Sequence, residues 1–179
     1  GKGFIEHDFT TGKERSLGMD EFPTPEELWH RYRAGRGLEG EYPEQVITTP
    51  YYREYGSMSP RYYQRIAVNR TLEAIARGKD RVLLVMATGT GKTYTAFQIV
   101  HRLREAGDFK PLERVTTKVT GRKLDSAYQV YFSLYQQLVG EDGEEIFREF
   151  DREFFDLIIV DECHRGSAGE DSAWRKILS

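Results

Sequence analysis

Residues 87–93 of the chain read ATGTGKT and contain two glycines shortly before a lysine and a threonine. Glycines let backbone N–H groups turn inward around an anion, and a helix that begins here adds the positive end of its dipole. The Lys92 ammonium is placed to reach the terminal phosphates, and the Thr93 hydroxyl to ligate Mg²⁺. The backbone groups predicted to surround the phosphates belong to Thr88, Gly89, Thr90 and Gly91. The spacing therefore predicts a triphosphate and magnesium site.

A second group of chemical residues, Asp161, Glu162 and His164, follows the apolar residues 157–160. If those residues form a buried strand, the two acids lie at its carboxyl end, where ligands bind in α/β folds. Asp161 is then suited to hold magnesium through water, and Glu162 to orient and deprotonate the attacking water. His164 is suited to hydrogen-bond a neighbouring lobe and report the nucleotide state. A solvated strand end is the alternative, and the accompanying phosphate loop favours the magnesium site.

The side chain of Gln64 is a candidate for base recognition. A glutamine amide donates to N7 of adenine and accepts from N6. Arg61 and a nearby tyrosine are candidates for added charge and stacking. Without the phosphate loop, Gln64 would be interpreted as an ordinary polar helix residue.

Three apolar stretches, at residues 82–86, 128–132 and 157–160, predict strands that position these residues. The first and third are continuous apolar runs, which are typical of strands buried on both faces of a parallel sheet. Strands that alternate with helices predict an α/β fold with a parallel sheet and flanking helices.

Helices are predicted on both sides of the phosphate loop. One begins at Pro60, after the capping residue Ser59, and ends at Gly78. The other follows the loop and ends at Gly107, with apolar residues at helical spacing. Residues 133–138 and 144–150 are also expected to be helical.

Residues 1–57 are polar and turn-rich, and we expect an irregular or helical connector there. Thr24 as N-cap, Pro25 at the first helical position and Glu27 predict one short helix. That helix is expected to end near Tyr32, and residues 42–55 are interpreted as a linker.

Composition limits the classes of function. With 179 residues and a formal net charge of −3, the chain suits a soluble domain with no global attraction to nucleic acid. No apolar run is long enough to cross a membrane. The single cysteine, Cys163, permits no internal disulfide and fits a cytoplasmic protein. Zinc binding by Cys163 and His164 is not predicted, because no second ligand pair accompanies them. The acidic neighbours of Cys163 make it a poor nucleophile.

Aromatic residues also cluster between the two motifs. Alternating strand spacing makes them packing residues rather than a base-stacking surface. They are Tyr128, Tyr131, Phe132 and Tyr135.

Together these motifs resemble superfamily 2 helicases and translocases. Residues 87–93 resemble motif I, residues 161–164 resemble motif II in its DECH form, and residues 61–64 resemble the glutamine motif. The chain is more specifically similar to the restriction (R) subunit of type I restriction-modification enzymes. That similarity rests on residues 22–29 (FPTPEELW), together with RYYQ, MATGTGKT, DECHRG and, at residues 131–136, YFSLYQ.

The resemblance implies an ATP- and magnesium-dependent motor that pumps double-stranded DNA before cleavage, working with specificity and modification subunits. It also implies that residues 58–179 form an incomplete first RecA-like lobe, and that residues 1–57 follow a nuclease domain. Another superfamily 2 DNA or RNA helicase, or an ATP-binding regulatory module without turnover, are the alternatives.

The sequence departs from the family pattern at two internal places. Met86 stands where the common phosphate-loop motif has its first glycine. An apolar strand is expected after Lys110 and Pro111, but Leu112, Glu113 and Arg114 follow instead. We therefore expect residues to be missing near Pro111.

Overall fold

The computed structural model describes residues 3–53, 59–107, 114–118, 128–133, 148, 150–151 and 153–161. The chain divides into two compact units, Gly1–Ala106 and Gly107–Ser179. No helix among the described residues is both long and apolar enough to span a membrane.

An antiparallel hairpin opens the first unit. Strand β1 (Gly3–Asp8) pairs with β2 (Lys13–Gly18), with Gly3 opposite Gly18 and Asp8 opposite Lys13. The Asp8 carboxylate accepts hydrogen bonds from the hydroxyl and backbone N–H of Thr10 and from the hydroxyl of Thr11, and these bonds lower its pKa to about 2. The sequence did not predict this hairpin, because its strands show no apolar alternation.

Helix α1 (Pro25–Arg36) confirms the predicted helix start. The Thr24 hydroxyl accepts a hydrogen bond from the Glu27 N–H at 3.2 Å. The predicted end near Tyr32 is wrong, because the helix continues to Arg36 and ends at Gly37, whose φ is 63°. Gly35 lies inside the helix, where a Cβ would approach the Thr10 side chain to 2.9 Å. That glycine serves close packing rather than helix termination.

Helix α2 (Glu41–Thr48) occupies the first half of the predicted linker, so the linker prediction is wrong there. Two acids, Glu41 and Glu44, lie in its first turn, where they complement the positive end of the helix dipole. Val46 is fully buried. The helix therefore depends on packing more than on a strong sequence signal.

Helices α3 (Tyr62–Ala76) and α4 (Lys92–Glu105) flank the phosphate loop as predicted. Helix α3 begins two residues later than predicted, with Arg61 rather than Ser59 as its N-cap. Helix α4 is followed by Gly107, whose φ of 90° ends it. The helices of this unit enclose a core whose buried apolar residues are Leu38, Val46, Val68, Leu72, Ala76, Ile99, Leu103 and Ala106.

The predicted strands at residues 82–86 and 157–160 are wrong in this structure. Both segments lack strand structure, and Leu83 and Ile158 are 76% and 52% exposed. A central strand requires neighbouring strands to take its backbone N–H and C=O groups. None of the described strands pairs with either segment.

In the second unit, β3 (Arg114–Lys118) pairs in parallel with β4 (Tyr128–Phe132). Strand β4 was predicted, whereas β3 lies where no strand was recognised. The β3–β4 pair is the one parallel strand pair in the described part of the chain. The larger parallel sheet predicted from the sequence is therefore not observed there. The predicted helices at 133–138 and 144–150 lie outside the described residues, apart from positions 133, 148 and 150.

Aromatic packing holds the described part of the second unit. The Tyr131 ring contacts Phe150, Phe154 and Phe155 at centroid distances of 5.6, 5.9 and 5.5 Å. For Tyr131, this confirms the packing role over base stacking.

Candidate nucleotide-binding site

The phosphate loop is a tight turn between residues 82–86 and α4. The backbone N–H and the hydroxyl of Thr90 both donate to the Ala87 carbonyl, at 3.4 and 2.6 Å. Gly89 and Gly91 have φ angles of 78° and 81°, which are unfavourable for residues with a side chain. The two glycines therefore make this loop conformation possible.

The N-terminus of α4 is suited to bind an anion. Its first intrahelical bond joins the Thr95 N–H to the Gly91 carbonyl at 3.0 Å, and no side chain caps it. The N–H groups that precede this bond and the helix dipole favour a negatively charged ligand. A Cβ added at Gly89 would meet nothing within 4 Å, so the loop also leaves open space there. The arrangement fits a phosphate group.

Gln64 joins the start of α3 to the phosphate loop. Its side chain is buried, with 8% exposed. The amide nitrogen donates to the Thr90 carbonyl at 2.9 Å, and the amide oxygen accepts from the Arg61 N–H at 2.9 Å. The sequence singled out Gln64 for base recognition, but it gave no sign of this direct contact with the loop.

These two bonds fix which end of the Gln64 amide is donor and which is acceptor. A flipped amide would set its nitrogen against the Arg61 N–H and its oxygen against the Thr90 carbonyl, and would lose both bonds. An amide has two N–H donors and two oxygen lone pairs, so one of each remains after these bonds form. The remaining pair matches the N7 acceptor and N6 donor of adenine.

Gly91 makes the contact between the Gln64 amide and the phosphate loop possible. A Cβ at position 91 would lie 2.5 Å from the Gln64 amide nitrogen, so any side chain there displaces the amide. The glycine therefore has two roles, positive φ and close approach. Thr95, which is 1% exposed, braces the same turn because its hydroxyl donates to the Gly91 carbonyl at 3.1 Å.

The remaining candidate residues are placed as follows. Lys92 is half-buried at the first position of α4, and Thr93 beside it is exposed. Arg61 is exposed, and its guanidinium donates to the Tyr63 hydroxyl at 3.0 Å. The structure therefore brings the loop, Gln64 and Arg61 together at the starts of two helices.

Asp161 is exposed in the second unit, directly after residues 157–160. Glu162 and His164 lie outside the described residues, and their roles stay predictions. Within the described ranges, no group of three or more His, Cys, Asp or Glu residues is arranged to hold a metal ion.

Comparison with known proteins identifies the family. A family profile described as the res subunit of type III restriction enzymes matches residues 57–113 and 107–179. The chain belongs to this restriction-enzyme family. The match implies a RecA-like fold, as expected from the sequence.

Individual relatives confirm the resemblance to type I R subunits. The EcoAI type I endonuclease subunit of Escherichia coli is 45% identical over 205 residues, which cover 99% of this chain and 25% of the relative. The EcoKI subunit of E. coli K12 is 27% identical over 77% of this chain and 14% of its own length. A solved fragment from Vibrio vulnificus YJ016, described as a type I HsdR subunit, matches with a TM-score of 0.78. It is 36% identical and covers 98% of this chain and 33% of that one.

This member of the family spans about a quarter of the length of the EcoAI relative. The 205 aligned positions exceed the 99% of 179 residues that they cover, so the relative has about 28 positions without a counterpart here. The two stretches matched to the family overlap at 107–113, close to Pro111. The place of these unmatched positions along the chain is not fixed by either finding, so the expectation that residues are missing near Pro111 stays a prediction.

We expect Gly91→Ala to destabilise the protein more than Gly89→Ala. Both substitutions place a side chain at positive φ, which costs roughly 1–2 kcal/mol. Only the first also displaces Gln64 from two hydrogen bonds, which adds roughly 1–2 kcal/mol. Urea unfolding followed by circular dichroism measures the difference. Equal losses of stability in the two variants would show that the Gln64 contact contributes nothing.

Proposed function

We propose that the chain is the first motor lobe of a type I restriction enzyme R subunit, which hydrolyses ATP with magnesium to translocate double-stranded DNA before cleavage. The observation that carries this proposal is the phosphate loop at the start of α4, with the Gln64 side chain hydrogen-bonded to it. The family match and the 45% identical endonuclease subunit supply the restriction context.

In this proposal the phosphate loop binds the triphosphate. Backbone N–H groups of residues 88–91 and the α4 N-terminus surround the phosphates, and Lys92 adds a positive charge. Thr93 contributes a hydroxyl ligand to Mg²⁺. Gln64 recognises adenine with its remaining donor and acceptor. Arg61, the N-cap residue of α3, adds positive charge near the nucleotide.

The acidic motif supplies the rest of the chemistry. Asp161 holds Mg²⁺ through water, and Glu162 orients the water that attacks the γ-phosphate. His164 couples the nucleotide state to a neighbouring lobe. These assignments rest on the resemblance to motif II and on the order of the two acids along the chain.

The partners follow from the same proposal. They are double-stranded DNA and the specificity and modification subunits of the restriction complex, and the protein acts in the cytoplasm. Because the net charge is −3, contact with DNA requires a local basic surface. A different superfamily 2 helicase shares the two motifs, but residues 22–29 and the endonuclease relatives favour the restriction subunit. The third alternative is an ATP-binding regulatory module without turnover.

We expect Lys92→Ala to weaken binding of a labelled, non-hydrolysable ATP analogue by at least about tenfold, because a charge directed at the phosphates is lost. The matched control is Lys79→Ala, which removes an exposed lysine after α3. Fluorescence anisotropy titration in the presence of Mg²⁺ compares the two variants with the parent protein. If both variants bind the analogue as tightly as the parent, the phosphate-loop proposal fails.

We expect Glu162→Gln in the full-length protein to lower DNA-stimulated kcat by about a hundredfold or more, with little change in ATP affinity. A water-positioning carboxylate acts mainly in the transition state. Asp161→Ala should differ by also weakening magnesium-dependent binding. Steady-state ATPase assays and analogue titration separate the two effects. Wild-type turnover by Glu162→Gln would refute the role given to this residue.

A further inference from the structure

Arg102 on α4 is a buried cation that has no carboxylate partner among the described residues. It is 2% exposed. Its guanidinium donates to the Asn69 side-chain oxygen at 2.8 Å and to the Ile47 and Val46 carbonyls at 2.7 and 3.3 Å. It also lies 4.8 Å from the centroid of the Tyr51 ring. All of these partners are neutral.

Packing alone is a poor explanation for such a residue. Burial lowers the pKa of Arg102, and its Nε has no hydrogen-bond partner in the described part of the chain. Glu73 is the other strongly buried charge in this region. Its carboxylate forms ion pairs with the guanidinium groups of Arg70 at 3.1 Å and Arg36 at 3.6 Å. An apolar side chain would often fill a buried site like that of Arg102 at lower cost, so the cation is better explained by what it positions.

What Arg102 positions is the end of α2. The Val46 and Ile47 carbonyls lie in the last turn of that helix, which has no basic residue of its own. Helix C-termini carry unpaired carbonyls and a partial negative charge, which cations stabilise. Arg102 supplies that cation from a different helix.

A second contact holds the same part of the chain. Gln98, one helical turn before Arg102, is fully buried. Its amide oxygen accepts from the Tyr52 N–H at 3.0 Å, and its amide nitrogen donates to the Tyr52 carbonyl at 3.2 Å. Two side chains of α4 therefore bind the backbone of residues 46–52.

The other end of α4 is the phosphate loop. Lys92 and Arg102 are ten residues apart on one continuous helix, which places them about 15 Å apart along its axis. A helix of this length moves largely as a rigid body, so a shift at the loop is transmitted to the contacts with residues 46–52.

We propose that Arg102 is a positioning residue that couples nucleotide occupancy of the phosphate loop to the C-terminal end of α2. The proposal rests on nucleotide binding by residues 87–93. Coupling is reciprocal, so the contacts made by Arg102 also set the position of α4 and thereby the affinity for nucleotide.

Hydrogen–deuterium exchange on the full-length protein tests the coupling. Exchange of peptides covering residues 41–53 is measured with and without a non-hydrolysable ATP analogue and Mg²⁺, and the affinity for the analogue is titrated separately. In the parent protein we expect the analogue to change exchange in these peptides. In Arg102→Met the change should be lost, and the affinity should fall by about fivefold or more. The matched control is Arg104→Met, two residues away on α4, which should behave like the parent.

Each outcome decides between the two proposals. A parent protein that does not bind the analogue refutes the proposed function, and the coupling with it. A parent protein that binds the analogue without altered exchange in residues 41–53 refutes the coupling alone. If Arg102→Met speeds exchange equally in both states and binds the analogue normally, Arg102 is merely structural. Should Arg102→Met fail to fold, Arg102→Lys keeps a cation but loses the forked geometry, and the same criteria apply to it.

Discussion

The hydrogen bonds of the Gln64 side chain are the interaction on which the candidate site depends. They connect the first turn of α3 to the phosphate loop through a buried amide. Because both ends of the amide are engaged, its orientation is fixed before any nucleotide binds. A buried amide that lost these partners would carry the cost of unsatisfied polar groups. The loop conformation, the glycine at position 91 and the start of α3 are therefore mutually dependent.

Helix α4 extends this dependence away from the loop. Its first turn presents Lys92 and Thr93, whereas Gln98 and Arg102 bind the backbone around the end of α2. The segment before the phosphate loop is thus attached to the same helix that would bind phosphate. This gives the N-terminal residues a structural role beyond connection, which their polar and turn-rich sequence did not indicate.

Local signals in the sequence predicted the parts of the fold that depend on neighbouring residues. The Thr24 cap, the glycine-rich turn and the end of α4 near Gly107 each require only a few residues, and all three are observed. Helix α2 was missed because its evidence is tertiary, namely the burial of Val46 and the cation supplied by Arg102. The β1–β2 hairpin was missed because cross-strand charge pairs such as Glu6 with Arg15 stabilise it in place of an apolar face.

The predicted strands at residues 82–86 and 157–160 are not observed, because the stability of a strand depends on residues far away in the sequence. Residues 82–86 have the composition of a central strand, but a strand forms only when neighbouring strands bind its backbone. The EcoAI relative has about 28 positions that this chain lacks, and the family match breaks close to Pro111. Residues 82–85 are exposed and have no strand partner among the described residues, and the predicted loss of residues near Pro111 offers one reason.

If the loop and Gln64 together form a site for adenine nucleotide, this site should distinguish ATP from GTP. Competition between ATP and GTP for a labelled ATP analogue tests it most directly, in the parent protein and in Gln64→Glu. Guanine presents the O6 acceptor where adenine presents the N6 donor, so the fixed Gln64 oxygen should disfavour GTP by roughly 1–3 kcal/mol, about five- to 150-fold. Gln64→Glu, which cannot donate to the Thr90 carbonyl or to N7, should bind ATP more weakly and lose the preference. If GTP displaces the analogue from the parent protein as effectively as ATP does, Gln64 does not recognise the base and the account of the site is contradicted.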